Sequence, residues 1–102
     1  MANRLYLQTK FEEILESRNV YFAPPESVKM KYPAIVYEIK NFDVKHANNN
    51  PYAIFDAYEV TLIDPNPDCE NMRKLLQLPN CRFDRFFTSE NLNHYVFTIY
   101  IN

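Results

Sequence analysis

The last quarter of the chain constrains the fold most, because it predicts a β-hairpin whose two faces are both apolar. The segment 78–101 carries six of the chain's sixteen phenylalanines and tyrosines and contains a polar turn at 88–93. Alternate positions of its second strand lie on opposite faces of a sheet. One face carries Tyr95, Phe97, Ile99 and Ile101, and the other carries His94, Val96, Thr98 and Tyr100. Water disfavours such a strand unless helices or another subunit cover it.

The composition predicts one folded domain that spans 1–102. A chain of 102 residues has room for a single core, and its 47% hydrophobic and 16% aromatic content excludes a disordered chain. The formal net charge is only -2, and no long basic run is present. We therefore expect no sequence-specific contact with nucleic acid.

The N-terminal residues lack the apolar core of a signal peptide, and no apolar run approaches the roughly 20 residues of a membrane span. We expect a cytosolic chain without membrane contact, in which Cys69 and Cys81 are free, buried thiols. The chain contains no glycine, so its loops should rely on proline, asparagine and aspartate.

The first helix is predicted over 4–17, with Asn3 as its cap and Asn19 as a left-handed stop. Its inner face carries Leu7, Phe11, Ile14 and Leu15. A short extended piece at 20–22 and a loop over 24–33 follow.

Two strands are predicted at 34–42 and 52–63, joined by a polar loop over 43–51. A second helix is predicted to begin at Asn66 and Pro67 and to end before Pro79. Its inner face should carry Cys69, Met72, Leu75 and Leu76. With the last hairpin, the order α-β-β-β-α-β-β predicts an α+β fold, in which a mainly antiparallel sheet packs against two helices.

Metal binding is not indicated. The segment 64–70 spaces oxygen ligands as a calcium loop begins, but Cys69 stands where that loop needs glycine, and Leu75 stands where it needs glutamate. A turn followed by a helix cap is the better interpretation. His46 and His94 have no partner at a spacing that zinc sites use, so we expect no metal and no cofactor.

Catalysis is not indicated either. Cys81 and His94 lie on neighbouring strands, where a nucleophile and its base are conceivable, but a core cysteine and a surface histidine explain them more simply. Bases and aromatics interleave at 82–87 as in platforms for single-stranded nucleic acid, yet an amphipathic strand gives the same alternation. We expect no catalytic residue and no enzymatic activity.

Two segments carry a family resemblance. They are R-N-V-Y-F-A-P-P-E-S-V-K-M-K-Y-P-A-I-V-Y-E-I, at 18–39, and the hairpin that begins at Leu78. With them the chain resembles the small tail-completion, tail-terminator or head-tail joining proteins of tailed phages and prophages. The resemblance runs over nearly the whole chain and carries no active-site signature.

The resemblance implies an α+β subunit that forms a ring, commonly of six, which ends the tail tube and joins it to the filled head. It implies three partners: other copies of the chain, the tail tube protein and a head-completion or connector protein. DNA would pass through the ring without sequence-specific contact. The protein would be made in the bacterial cytoplasm and reside in the tail or neck of the virion.

Candidate interface residues follow from the predicted loop and from the exposed aromatic hairpin. They are His46, Asn48, Asn49, Asn50, Tyr52, Arg85, Phe87 and Tyr100. A plain solvated hairpin tip explains the loop equally well. The alternatives for the whole chain are another head-tail connector or minor capsid component, a small ligand-binding α+β module and, more remotely, an enzyme.

Overall fold

The computed structural model describes residues 4–25, 29–47 and 50–101, with the backbone alone for the described residues between 42 and 55. Within these residues, two helices and five strands follow the order α-β-β-β-α-β-β, which confirms the predicted α+β class. The bounds are α1 Arg4–Leu15, β1 Val20–Phe22, β2 Ala34–Ala47, β3 Asn50–Asp64, α2 Asn71–Leu76, β4 Cys81–Ser89 and β5 Leu92–Ile101.

The strands form one sheet in the order β1-β2-β3-β5-β4. Strand β1 pairs with β2 in parallel, and the other three pairings are antiparallel. The sheet is therefore mainly antiparallel, as predicted. Both helices contribute to the same core on one face of the sheet, and we call the opposite face the open face.

Tyr37 lies at the centre of the core on the helix-covered face. Its side chain is fully buried, and its ring contacts Phe11 edge-on at 5.2 Å and Phe22 at 5.1 Å. The Tyr37 hydroxyl donates to Gln8 Oε1 at 2.6 Å, so the one polar atom of this ring is satisfied. Burial raises the pKa of Tyr37 above its ordinary value.

The first helix ends earlier than predicted. Glu16, with φ of 56°, takes the left-handed conformation that was assigned to Asn19. Asn19 instead donates from its side chain to the carbonyl of Pro33 at 3.3 Å. The predicted inner face is confirmed, since Leu7, Phe11 and Leu15 are buried and Ile14 packs against the core. The predicted cap Asn3 lies outside the described residues.

The second helix is shorter than predicted and begins at Asn71. The side chains of Asp64 and Asn66 accept hydrogen bonds from the backbone two residues ahead, at 2.8 and 3.0 Å, and these turns hold the chain out of a helix. The predicted cap at Asn66 is thus wrong, although the predicted turn is correct. Leu76 was assigned to the inner face but is 41% exposed.

The turn between β4 and β5 is tighter than the predicted 88–93, because the strands continue to Ser89 and Leu92. The two remaining residues, Glu90 and Asn91, have φ of 53° and 64°. Two left-handed residues match the right-handed twist of a hairpin. With no glycine available, glutamate takes one of these positions, so the prediction that loops use only proline, asparagine and aspartate is wrong.

The hairpin of β2 and β3 is longer than predicted. The predicted loop over 43–51 is wrong, because backbone pairing continues to Ala47 and Asn50. Strand β5 accompanies β3 only as far as Asp56, so the end of the hairpin extends beyond the rest of the sheet. The radius of gyration, 14.6 Å, exceeds the roughly 13 Å of a compact domain of this length.

Candidate functional site

The open face combines buried small residues with exposed long ones. Pairing registers align residues of this face in three rows that each cross four strands. The rows are Ala34, Ile63, His94 and Phe87; Val36, Thr61, Val96 and Arg85; and Glu38, Glu59, Thr98 and Arg82. Neither helix lies on this face, yet Val96 and Thr98 are almost completely buried. Longer side chains of neighbouring strands must therefore cover them.

A β-bulge at Asp84 supplies part of this cover. The register between β4 and β5 shifts between Phe83 and Arg85, which leaves Asp84 without a partner position. Its carboxylate accepts a short hydrogen bond from the buried Thr98 hydroxyl and another from Arg82 Nε at 3.0 Å. Burial by itself would raise the pKa of Asp84, but these two hydrogen bonds and the charges of Arg82 and Lys40 lower it below its ordinary value.

Arg85 and Phe87 form the exposed part of the same face. Arg85 lies 3.8 Å from a carboxylate oxygen of Glu59, and its guanidinium lies 5.9 Å from the centre of the Phe87 ring. Phe87 stacks on the ring of His94 at 4.6 Å and remains 40% exposed. Stacked rings beside an arginine are typical of protein interfaces.

Three of the predicted interface residues lie on this face, and two of them, Arg85 and Phe87, are in contact. Arg85, Phe87 and Tyr100 lie on β4 and β5 at positions directed away from the helices. His46, Asn50 and Tyr52 are not in a loop, because their backbone belongs to β2 and β3. Asn48 and Asn49 lie outside the described residues.

Sequence reasoning missed the aromatics on the other face of β4. Phe83 and Phe86 are 41% and 50% exposed, and they contact Phe97 and Tyr95 at 5.6 and 5.0 Å. The signal was the run R-F-D-R-F-F, in which the aromatics do not keep strict alternation. A bulge at Asp84 explains that irregularity. Because β4 is the last of the described strands of the sheet, these rings lie beside a backbone edge that no described strand pairs with.

A second exposed element is the end of the β2–β3 hairpin, which we call the arm (41–47 and 50–55). Its strands pair with each other through Ala47 and Asn50, while β1 reaches only Tyr37 and β5 reaches only Asp56. Seven residues of extended strand span about 23 Å. A two-stranded hairpin by itself is only marginally stable in water, so contact with another molecule would stabilise the arm.

The two cysteines are free, as predicted, but they are half-buried instead of buried. Cys81 pairs with Ile99, whereas His94 pairs with Phe87. Five residues of strand therefore separate Cys81 from His94, a distance of about 17 Å, and the two lie on opposite faces. Burial, with a smaller effect of Asp84, raises the pKa of Cys81 to about 11, which disfavours the reactive thiolate.

Cys69 is similarly unreactive. Burial and a hydrogen bond with Asp64 raise its pKa to about 11. Among the residues that the structure describes, no three histidines, cysteines or acidic residues lie close enough to hold a metal ion. The oxygens of Asp64 and Asn66 that suggested a calcium loop accept backbone hydrogen bonds in the turns already described.

A cleft of about 230 Å³ lies where α1, the α2–β4 turn and the end of β5 meet. Its lining is mainly apolar and comprises Tyr6, Leu7, Leu78, Pro79, Asn80, Ile99, Tyr100 and Ile101. The volume is below the roughly 300–1,000 Å³ of typical ligand pockets.

No helix within the described part of the chain has the length and apolar character needed to cross a membrane.

Comparison with models of known protein families gives no match, and comparison with curated proteins gives none either.

Proposed function

We propose that the chain is a structural assembly protein of a tailed phage or prophage, and that it acts as the tail terminator. It forms a ring, commonly of six copies, that caps the tail tube and provides the surface where the head is joined. Its partners are the tail tube protein and a head-completion or connector protein. The proposal combines the resemblance seen in the sequence with surfaces suited to assembly.

The observation that carries the proposal is the amount of strand edge that has no partner among the described residues of so small a domain. Strand β4 offers a nine-residue edge with exposed aromatics, and the arm extends beyond the strands on both sides of it. Proteins that remain monomeric usually shorten or cover such edges. A subunit that joins head-to-tail to other copies needs two different free surfaces of this kind.

The alternatives have less support. Another head-tail connector or a minor capsid component would use the same edges, so it remains the nearest competitor. A ligand-binding module would use the cleft beneath α1, which is small and mainly apolar. An enzyme that uses Cys81 has a thiol with a raised pKa, and His94 lies five residues of strand away on the opposite face.

The test is to delete the gene from its phage or prophage and to examine the particles by electron microscopy. A terminator defect gives filled heads beside unjoined tails, often of irregular length, and added wild-type protein restores joined particles. Defective heads with normal, finished tails would indicate a connector or capsid role. Normal joined particles would contradict the proposal and favour the binding module.

A matched pair of charge reversals links this test to the open face. Arg85→Glu changes an exposed arginine of the candidate interface, and Arg18→Glu changes an exposed arginine between α1 and β1. We expect both variants to fold, and only Arg85→Glu to fail in restoring joined particles. If both variants restore joined particles equally well, the open face is not part of the interface.

A further inference from the structure

The sheet has two free edges of similar length. On one side, β1 covers β2 only at Ile35–Tyr37, so that no described strand pairs with the outer edge of β2 over the ten positions 38–47. On the other side, β4 has no described neighbour beyond β5 along its nine residues, 81–89. Each edge exposes backbone donors and acceptors that another strand can satisfy.

The directions of these edges suit each other. Strand β2 is antiparallel to β3, β3 to β5, and β5 to β4, so β4 runs antiparallel to β2 within one chain. A second copy placed beside the first in the plane of the sheet would bring its β2 against β4 of the first copy. The new pair would be antiparallel, and the helices of both copies would lie on the same side.

One pair of opposite charges along the edges also matches. In an antiparallel register that pairs Phe87 with Asn41, between the bulges at Asp84 and Lys40, Arg85 falls opposite Asp43. Opposite charges at facing positions of a β-ladder stabilise it by about 0.2–1 kcal/mol. Strand β1 already pairs with the start of β2. The neighbouring copy can therefore pair only with the later part of β2, which includes the arm.

We propose that β4 of one copy adds to the outer edge of β2, at 38–47, of the next copy, so that the sheet continues from subunit to subunit. This inference rests on the proposed function, because the tail ring is where copies of the chain would meet. The contact joins two different surfaces, so it can repeat from copy to copy, and it closes into a ring when the rotation between copies adds up to a full turn. It also gives the arm a third strand, and it leaves every open face on the same side of the ring.

Disulfide trapping tests this pairing directly. In a Cys69→Ala, Cys81→Ala background, Asp43→Cys and Arg85→Cys are combined in one chain. Within a chain, β2 and β4 are three strand spacings apart, about 14 Å, which exceeds the roughly 7 Å limit for a disulfide. Any disulfide between these positions must therefore join two copies. The variant is oxidised at high protein concentration and on purified tails, and it is then analysed on non-reducing gels.

We expect a ladder of covalent multimers that ends at the ring number and disappears on reduction. Each single-cysteine variant should remain monomeric, and so should the matched control that combines Asp43→Cys with Glu13→Cys, an exposed position on α1. Dimers from Arg85→Cys alone would show two-fold pairing of β4 with itself, and this would overturn the inference.

A charge exchange provides an independent measurement. Asp43→Arg should reduce ring formation, measured by native mass, and Arg85→Asp in the same chain should restore it. A second outcome is rings that give no disulfide-linked multimers and do not respond to the charge exchange. This result would overturn the strand addition and leave the proposed function intact. Absence of any ring in solution or on tails would overturn the inference, and normal particles in the deletion strain would remove the proposed function as well.

Discussion

The helix-covered face and the open face of this sheet are built from the same strands but exclude water in different ways. On the helix-covered face, Tyr37 and Phe97 are buried beneath apolar residues of α1 and α2. On the open face, Val96 and Thr98 are as deeply buried without a helix, beneath polar side chains of β3 and β4. Long polar side chains therefore protect the interior of this face and leave its outer surface free for contacts.

The largest expected effect tests the helix-covered face. Tyr37→Ala should lower the free energy of unfolding by about 3–5 kcal/mol, because it removes a fully buried ring from the centre of the core. The matched variant Tyr37→Phe should cost only about 1 kcal/mol, for the hydrogen bond to Gln8. Urea denaturation measures both. A loss below about 1 kcal/mol for Tyr37→Ala would mean that this face is not the main core.

The next effect tests the polar cover of the open face. Asp84→Ala should cost about 1–3 kcal/mol, since it leaves the buried Thr98 hydroxyl without its acceptor. Glu38→Ala, at an exposed position in the row of Thr98, should change the free energy of unfolding by less than about 0.5 kcal/mol. Equal effects of the two variants would show that the bulge at Asp84 does not stabilise the face.

The same carboxylate should make the open face sensitive to acid. The pKa of Asp84 is lower in the folded chain than its ordinary value of 3.8, so its ionised form stabilises the fold. This contribution is complete above pH 3.8 and is lost as the pH falls from there through the folded value. Denaturation curves between pH 5 and about 2 should be less steep in pH for Asp84→Asn than for the wild type. Identical pH profiles would contradict the lowered pKa.

The smallest effect on stability is expected at the outer surface of the open face. The contact between Arg85 and Glu59 is solvent-exposed, so Arg85→Ala should cost about 0–1 kcal/mol in the isolated chain. In ring formation Arg85→Ala should instead have the largest effect of these variants, because the proposed pairing places Arg85 at the contact between subunits. Ring formation and thermal unfolding of the same variant measure the two quantities. A large loss of stability would assign Arg85 to the fold instead of the interface.

Local sequence patterns predicted the elements well where one side of an element is buried. The spacing of Leu7, Phe11 and Leu15 predicted α1, because burial on one side imposes a period on the sequence. Strand β5 is buried on both faces, and its apolar run after a polar turn predicted it. The arm lacks such a period and was predicted to be a loop. The start of α2 was misplaced because the side chains of Asp64 and Asn66 form turns, which a capping pattern does not distinguish from a helix start.

The candidate site was predicted only in part, because local patterns do not show how strands pair. Sequence reasoning selected Arg85, Phe87 and Tyr100 as exposed residues of the last hairpin, and the register places them on one face. It did not include Asp84, because a bulge depends on how two strands pair. Nor did it include Phe83 and Phe86, since their exposure depends on β4 being an edge strand.

The sequence by itself determined the order of helices and strands, because periodicity, proline and turn residues act over a few neighbouring positions. The tertiary structure alone decided that β5 lies between β3 and β4, that both helices cover one face, and that the hairpin of β2 and β3 extends beyond its neighbours. These features depend on pairing between residues distant in the chain, and local propensity carries no information about it. The free edges of β2 and β4 are a consequence of that pairing.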